Sequence, residues 1–145
     1  MAGRYGMSFA KKHIEDGDYE AAIAAASAEI DAGDSGPEPL VDRAMAYELS
    51  ERYAEAVEDL ELALEKNVTD QEIDPFVLDD AYFSATLALA RTQAQSDVAA
   101  ATARLSRYRE RVPEGAHHAE SRQWELRLRG ELPSRLDKTR SVDAG

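Results

Sequence analysis

The chain has 145 residues, 17 Lys plus Arg against 29 Asp plus Glu, a net charge of −12 and no cysteine. One ordinary domain fits that length, and the absence of cysteine excludes disulfides and thiol chemistry. No stretch approaches the roughly 20 apolar residues of a bilayer-spanning helix, and residues 1–6 lack the apolar run of a secretory signal, so a cytoplasmic protein is expected.

A first helix is expected from Ser8 through Phe9, Ala10, His13 and Ile14, broken at Asp16-Gly17. A second runs from Asp18 and places Tyr19, Ala22, Ile23, Ala26 and Ile30 on one face. It ends in the turn residues 33–37. The next pair puts Leu40, Ala44 and Tyr47 on one helix and Tyr53, Ala56, Val57, Leu60, Ala63 and Leu64 on the other. Asp74-Pro75 reads as an N-cap followed by proline at the first helical position. It opens a long apolar helix through Phe76, Tyr82, Phe83, Leu87 and Leu89 to about Gln95. Ser96 or Asp97 opens the following helix, with Val98, Ala101, Leu105 and Tyr108, which stops before Pro113. A last helix over about 117–130 carries Trp124 and Leu128, and residues 133–145 are polar enough to predict disorder.

Two spacings organise these helices. Tyr19 to Tyr53 and Ala22 to Ala56 are 34 residues apart, whereas Tyr53 to Val98, Ala56 to Ala101 and Leu60 to Leu105 are 45 apart. The longer spacing is one period plus an insertion of 11, placed most simply between Val68 and Leu78. Repetition at this interval means helix pairs that cannot bury their apolar stripes alone and must stack.

Leu40, Ala44, Tyr47, Tyr53, Ala56, Leu60 and Ala63 follow a large, small, large, aromatic, small, large, small order that resembles the tetratricopeptide repeat family. The first copy fits at Ala10, Tyr19 and Ala22 but has Ala26 and Glu29 in place of a large and a small residue. The third has Ala101, Leu105 and Pro113 but Leu89 at a small position. The resemblance implies an all-α fold: an α–α solenoid, right-handed, of about three helix pairs (3–36, 37–70 and 75–113) with a capping helix at 117–130, in one domain spanning 1–132. It also implies a concave groove that takes peptides or extended segments of other proteins. By position the groove would hold Arg4, Met7 and Lys11, then Glu38, Val41, Met45 and Glu48, then Phe83, Thr86 and Ala90. Met7, Val41 and Met45 occupy positions where carboxylate-clamping members carry lysines and asparagines, so that clamp is absent. A mixed apolar and acidic groove suits a segment with hydrophobic anchors and basic flanks. Met7 and Met45 read equally as an adaptable contact surface or as fillers between helices.

The charge is divided. Residues 1–80 hold 6 Lys plus Arg against 21 Asp plus Glu, and residues 81–145 hold 11 against 8. Solvated helix faces explain this, and so does attraction of a basic partner or head-to-tail contact between copies. The acidic half repels nucleic acid, and Arg104, Arg107, Arg109 and Arg111 are only a weak basic feature. Arginine outnumbers lysine 13 to 4, a compositional hint of a GC-rich bacterial genome.

Little in the chain points to catalysis. His117-His118 with Glu114 and Glu120 has metal-ligand residue types, but neighbouring histidines on a helix diverge, which favours a surface or helix-start role over zinc. Asp79-Asp80 are consecutive and read as a solvated face rather than a carboxylate pair, and His13 reads as a packed residue. The expectation is a non-enzymatic adaptor or scaffold with no cofactor, metal, nucleic acid or membrane partner. The alternatives are an escort for an aggregation-prone client and a self-assembling structural protein.

Overall fold

The computed structural model describes residues 8–33 and 36–131. Arg4, Met7, Asp34, Ser35 and the expected tail at 133–145 lie outside the described residues. Within them the chain is all-helical: α1 (Phe9–Glu15), α2 (Tyr19–Ala32), α3 (Glu38–Leu49), α4 (Tyr53–Asp70), α5 (Pro75–Gln93), α6 (Val98–Arg111) and α7 (His118–Leu128). Two compact units divide it, one ending at Ala85 and the other beginning at Thr86, so α5 starts in the first and ends in the second.

Local chemistry sets most helix ends. Ser8 is extended, and its Oγ accepts the Lys11 N–H at 3.1 Å. The carboxylates of Asp18 and Asp97 do the same for Ala21 and Ala100, at 3.2 and 3.0 Å. Each satisfies a donor that a helix start leaves without an intrahelical partner. The turns after α1 and α3 are the same structure one period apart. Gly17 and Asp18 donate to the carbonyls of Ile14 and His13 at 3.0 and 2.8 Å, and Glu51 and Arg52 donate to those of Glu48 and Tyr47 at 3.0 and 2.7 Å. Both are Schellman closures, which need a left-handed residue. Gly17 supplies it at φ 78°, and Glu51 adopts it at φ 63° against the strain that its Cβ imposes.

In the first unit α1 packs on α2, α2 on α3 and α3 on α4, and α1 also touches α3. Small residues make the close approaches possible. Ala10 and Ala44, one period apart, are 2 % and 1 % exposed, and Ala22 and Ala56 are fully buried. Ala101 in the second unit is fully buried too, and Ala22, Ala56 and Ala101 are each the fourth residue of their helix. Larger side chains complete the core of the first unit at Leu40, Val57, Leu60, Leu78 and Tyr82.

Polar ties join helices across the period. The Ser8 hydroxyl donates to Asp42 at 3.1 Å, and these residues stand 34 apart. The Arg43 guanidinium grips Asp59 on α4 through two 2.7 Å hydrogen bonds and donates to Ser27 on α2 at 3.0 Å. It thereby links three helices with one side chain, in the fork geometry that arginine offers a carboxylate.

The insertion of 11 is distributed differently from the simplest reading. α4 has 18 residues against 14 in α2, and α5 has 19 against 12 in α3, while the intervening turns nearly balance. The extra chain lengthens two helices instead of forming a separate loop. The pair Leu40 and Ala44 has Ala85 and Leu89 45 positions on; all four are buried, with the large and small members exchanged. Phe9, Phe76 and Val98, each within the first two residues of its helix, are 69 %, 72 % and 37 % exposed rather than packed. Periodicity gives a side chain's direction but not how far a neighbour extends to cover it.

In the second unit α6 packs on α7. Ala101, Leu105 and Tyr108 are fully buried. Arg109 reaches Glu125 at 2.5 Å and donates to Ser121 at 2.9 Å, fixing α7 to α6. Trp124 lies against two guanidinium groups, Arg91 at 5.0 Å and Arg127 at 5.2 Å from its ring centre, a cation–π arrangement.

Candidate partner-binding face

α3 carries Val41, Met45 and Leu49 at intervals of four, so they form one row along the helix. Val41 is half-buried, and Met45 and Leu49 are 48 % and 50 % exposed. The opposite side of the same helix buries Leu40, Ala44 and the Arg43–Asp59 pair. The row is therefore what remains of an amphipathic helix after its core contacts are made.

Charged groups border this row. Glu38, half-buried at the start of α3, accepts a 3.0 Å hydrogen bond from Lys11 on α1. That bond is the main cause holding the Lys11 ammonium above its ordinary pKa, against the opposing effect of its partial burial. Lys11 also stands 4.0 Å from Asp42, whose carboxyl is raised chiefly by burial. Near the other end, Glu48 accepts the Ser84 hydroxyl at 2.9 Å. These contacts bring α1 to one end of α3 and the first part of α5 to the other.

The expected groove residues divide by accessibility. Lys11, Glu38, Val41, Met45 and Glu48 keep surface and gather on or beside α3. Phe83, Thr86 and Ala90 are 5 %, 1 % and 0 % exposed, so their side chains offer a partner almost nothing to touch. Arg4 and Met7 lie outside the described residues. Leu49 was missed, although it continues the four-residue spacing of Val41 and Met45.

The groups weighed for chemistry have structural work. The His118 Nε2 donates to the Val112 carbonyl at 2.6 Å, and its ring stands edge-on to Tyr108 at 5.8 Å. His117 occupies the cap position of α7, its Nδ1 3.4 Å from Glu120, and its backbone N–H donates to the Tyr108 hydroxyl at 3.2 Å. Asp79 is buried and Asp80 exposed, so a solvated face describes Asp80 alone. His13 is half-buried. No helix among the described residues is long and apolar enough to cross a membrane. Comparison with protein-family models, curated proteins and solved structures returned no match.

Proposed function

We propose that the chain is a non-enzymatic interaction module of the tetratricopeptide kind, working in the cytoplasm, which takes a segment of another protein along the open face of α3. In this reading α1/α2, α3/α4 and α5/α6 are three stacked pairs of a right-handed solenoid and α7 is its cap. Support comes from the repeated Schellman turn at Gly17 and Glu51 and from the contact of α1 with α3 one period away. The single observation that carries the functional part is the row of half-buried Val41 and exposed Met45 and Leu49 with Glu38 and Glu48 beside it. Apolar anchors give affinity and flanking carboxylates select basic residues. The occupant is therefore a segment with large apolar residues and Lys or Arg beside them.

Random peptides displayed on phage and selected against the full chain test this. The selected sequences should combine apolar anchors with basic residues, and Met45→Glu should weaken them about five- to thirtyfold, the usual effect of losing one anchor. Selected peptides that are acidic, or that bind Met45→Glu and wild type equally, would remove the reading.

A further inference from the structure

The turn between α4 and α5 concentrates exposed apolar surface in the stretch where the 34-residue period is lengthened. Val68, Phe76 and Val77 are 74 %, 72 % and 55 % exposed. The turn between them, residues 71–74, is closed from within. The Asn67 side chain is buried and pairs twice with Ile73, its amide donating to the Ile73 carbonyl at 2.8 Å and its Oδ1 accepting the Ile73 N–H at 3.0 Å. The Asp74 carboxylate accepts the Phe76 N–H at 2.9 Å, and Gln71 closes α4 at φ 47°, its N–H donating to the Asn67 carbonyl at 3.0 Å. Phe76 and Val77 are thus held out by a braced backbone, and a partner that covers them need not first order the turn.

We propose that this turn is a second docking point, on residues separate from the α3 row, for a basic amphipathic helix of a partner protein. Charge decides the occupant. Among the described side chains of residues 65–80, four exposed carboxylates (Glu65, Glu72, Asp74 and Asp80) stand against Lys66. A second copy of the chain would bring the same carboxylates to the contact and be repelled, whereas a helix with lysines or arginines beside its apolar face is attracted. Phe76 and Val77 at the start of α5 and Val68 near the end of α4 are the anchors, and the exposed Asp74 carboxylate stands at the Phe76 N–H.

The test is a fluorescence-polarisation titration of the full chain with a labelled amphipathic peptide built only of leucine and lysine at helical spacing. A control peptide has its leucines replaced by serine. Measured in a Met45→Ser background, which removes the α3 row from the titration, the double variant Phe76→Ser/Val77→Ser should weaken binding about tenfold, while Phe9→Ser leaves it unchanged, and added salt should weaken binding. All substituted residues are well exposed, and circular dichroism of each variant should match wild type. The proposal is overturned by equal affinity with and without the double substitution in that background, by equal loss in Phe9→Ser, by equal binding of the serine control peptide, or by no binding at low salt. Loss confined to Met45→Ser would assign the peptide to the α3 row and sink this inference without touching the functional reading. A wild-type dimer that the double variant dissolves in sedimentation velocity would give the surface to a second copy and overturn it as well.

Discussion

Among the described residues of α1 and α2, the buried apolar side chains are all alanines (Ala10, Ala22 and Ala26), whereas α3 and α4 bury Leu40, Val57 and Leu60 beside alanines. The local signals run the other way. Ser8 and Asp18 cap α1 and α2 with side-chain hydrogen bonds, and Gly17 and Gly33 follow their last turns in the left-handed conformation. At α3 and α4 the cap positions are Pro37 and Arg52, with no side-chain cap bond, and the left-handed positions are filled by Glu51 and Gln71. The two pairs share a backbone plan but differ in what stabilises it. One is written in caps and glycine, the other in buried area sufficient to carry a strained glutamate.

The sharpest way to break that comparison is to cut the tie between the pairs. Arg43→Ala leaves Asp59, whose side chain is 5 % exposed, without its bidentate partner. The loss should be about 3 to 5 kcal/mol by urea unfolding, the scale for orphaning a buried charge. A loss under about 1 kcal/mol would mean that the clamp behaves as a surface ion pair.

Leu60 and Ala26 occupy the same place one period apart, at 2 % and 0 % exposure. Leu60→Ala makes the second pair resemble the first at that point and should cost about 2 to 5 kcal/mol. The denaturation midpoint should fall with the slope unchanged.

The turns allow a finer exchange. A Cβ at Gly17 would meet no heavy atom within 4 Å, so Gly17→Ala tests conformation alone, and it should destabilise by about 1 kcal/mol. Glu51→Gly should stabilise by about 0.5 to 1 kcal/mol by removing the matching strain. Thermal melts of the two variants should therefore move in opposite directions.

The smallest effect concerns Asp42, the partner of Ser8 across the period. Burial is the chief cause of its raised carboxyl; Lys11 and the Ser8 hydroxyl lower it, and Glu38 and Glu29 raise it. A carboxyl that binds its proton more tightly folded than unfolded contributes fully below its unfolded value, about pH 4, and loses that contribution as pH rises through the folded value. Asp42→Asn should therefore gain stability relative to wild type as pH rises above about 4. A constant difference across that rise would show that Lys11 and Ser8 offset the burial fully.

These contrasts also explain what could be read before the structure. The helices of the first pair were legible because Ser8, Asp18 and Gly17 act within a few residues of themselves, and the second pair because Leu40, Ala44 and Tyr47 on one helix, and Tyr53, Ala56, Val57 and Leu60 on the other, recur at helical spacing. Arg43 with Asp59 and Ser8 with Asp42 were not, since pairing of polar residues 16 or 34 positions apart leaves no trace in composition or period. The row on α3 was half legible: Val41 and Met45 came from the resemblance, while Leu49 and the contact of Ser84 with Glu48 needed neighbouring helices in place. Burial of Phe83, Thr86 and Ala90 depends on what covers α5, which the order of residues does not state.

Small side chains at matched positions let neighbouring helices nest. Urea unfolding of Ala22→Leu, Ala56→Leu and Ala101→Leu tests this most directly. All three should lose about 1 to 3 kcal/mol, because each added side chain has no room at a fully buried site. Any one of them within about 0.5 kcal/mol of wild type would contradict the equivalence of the three positions.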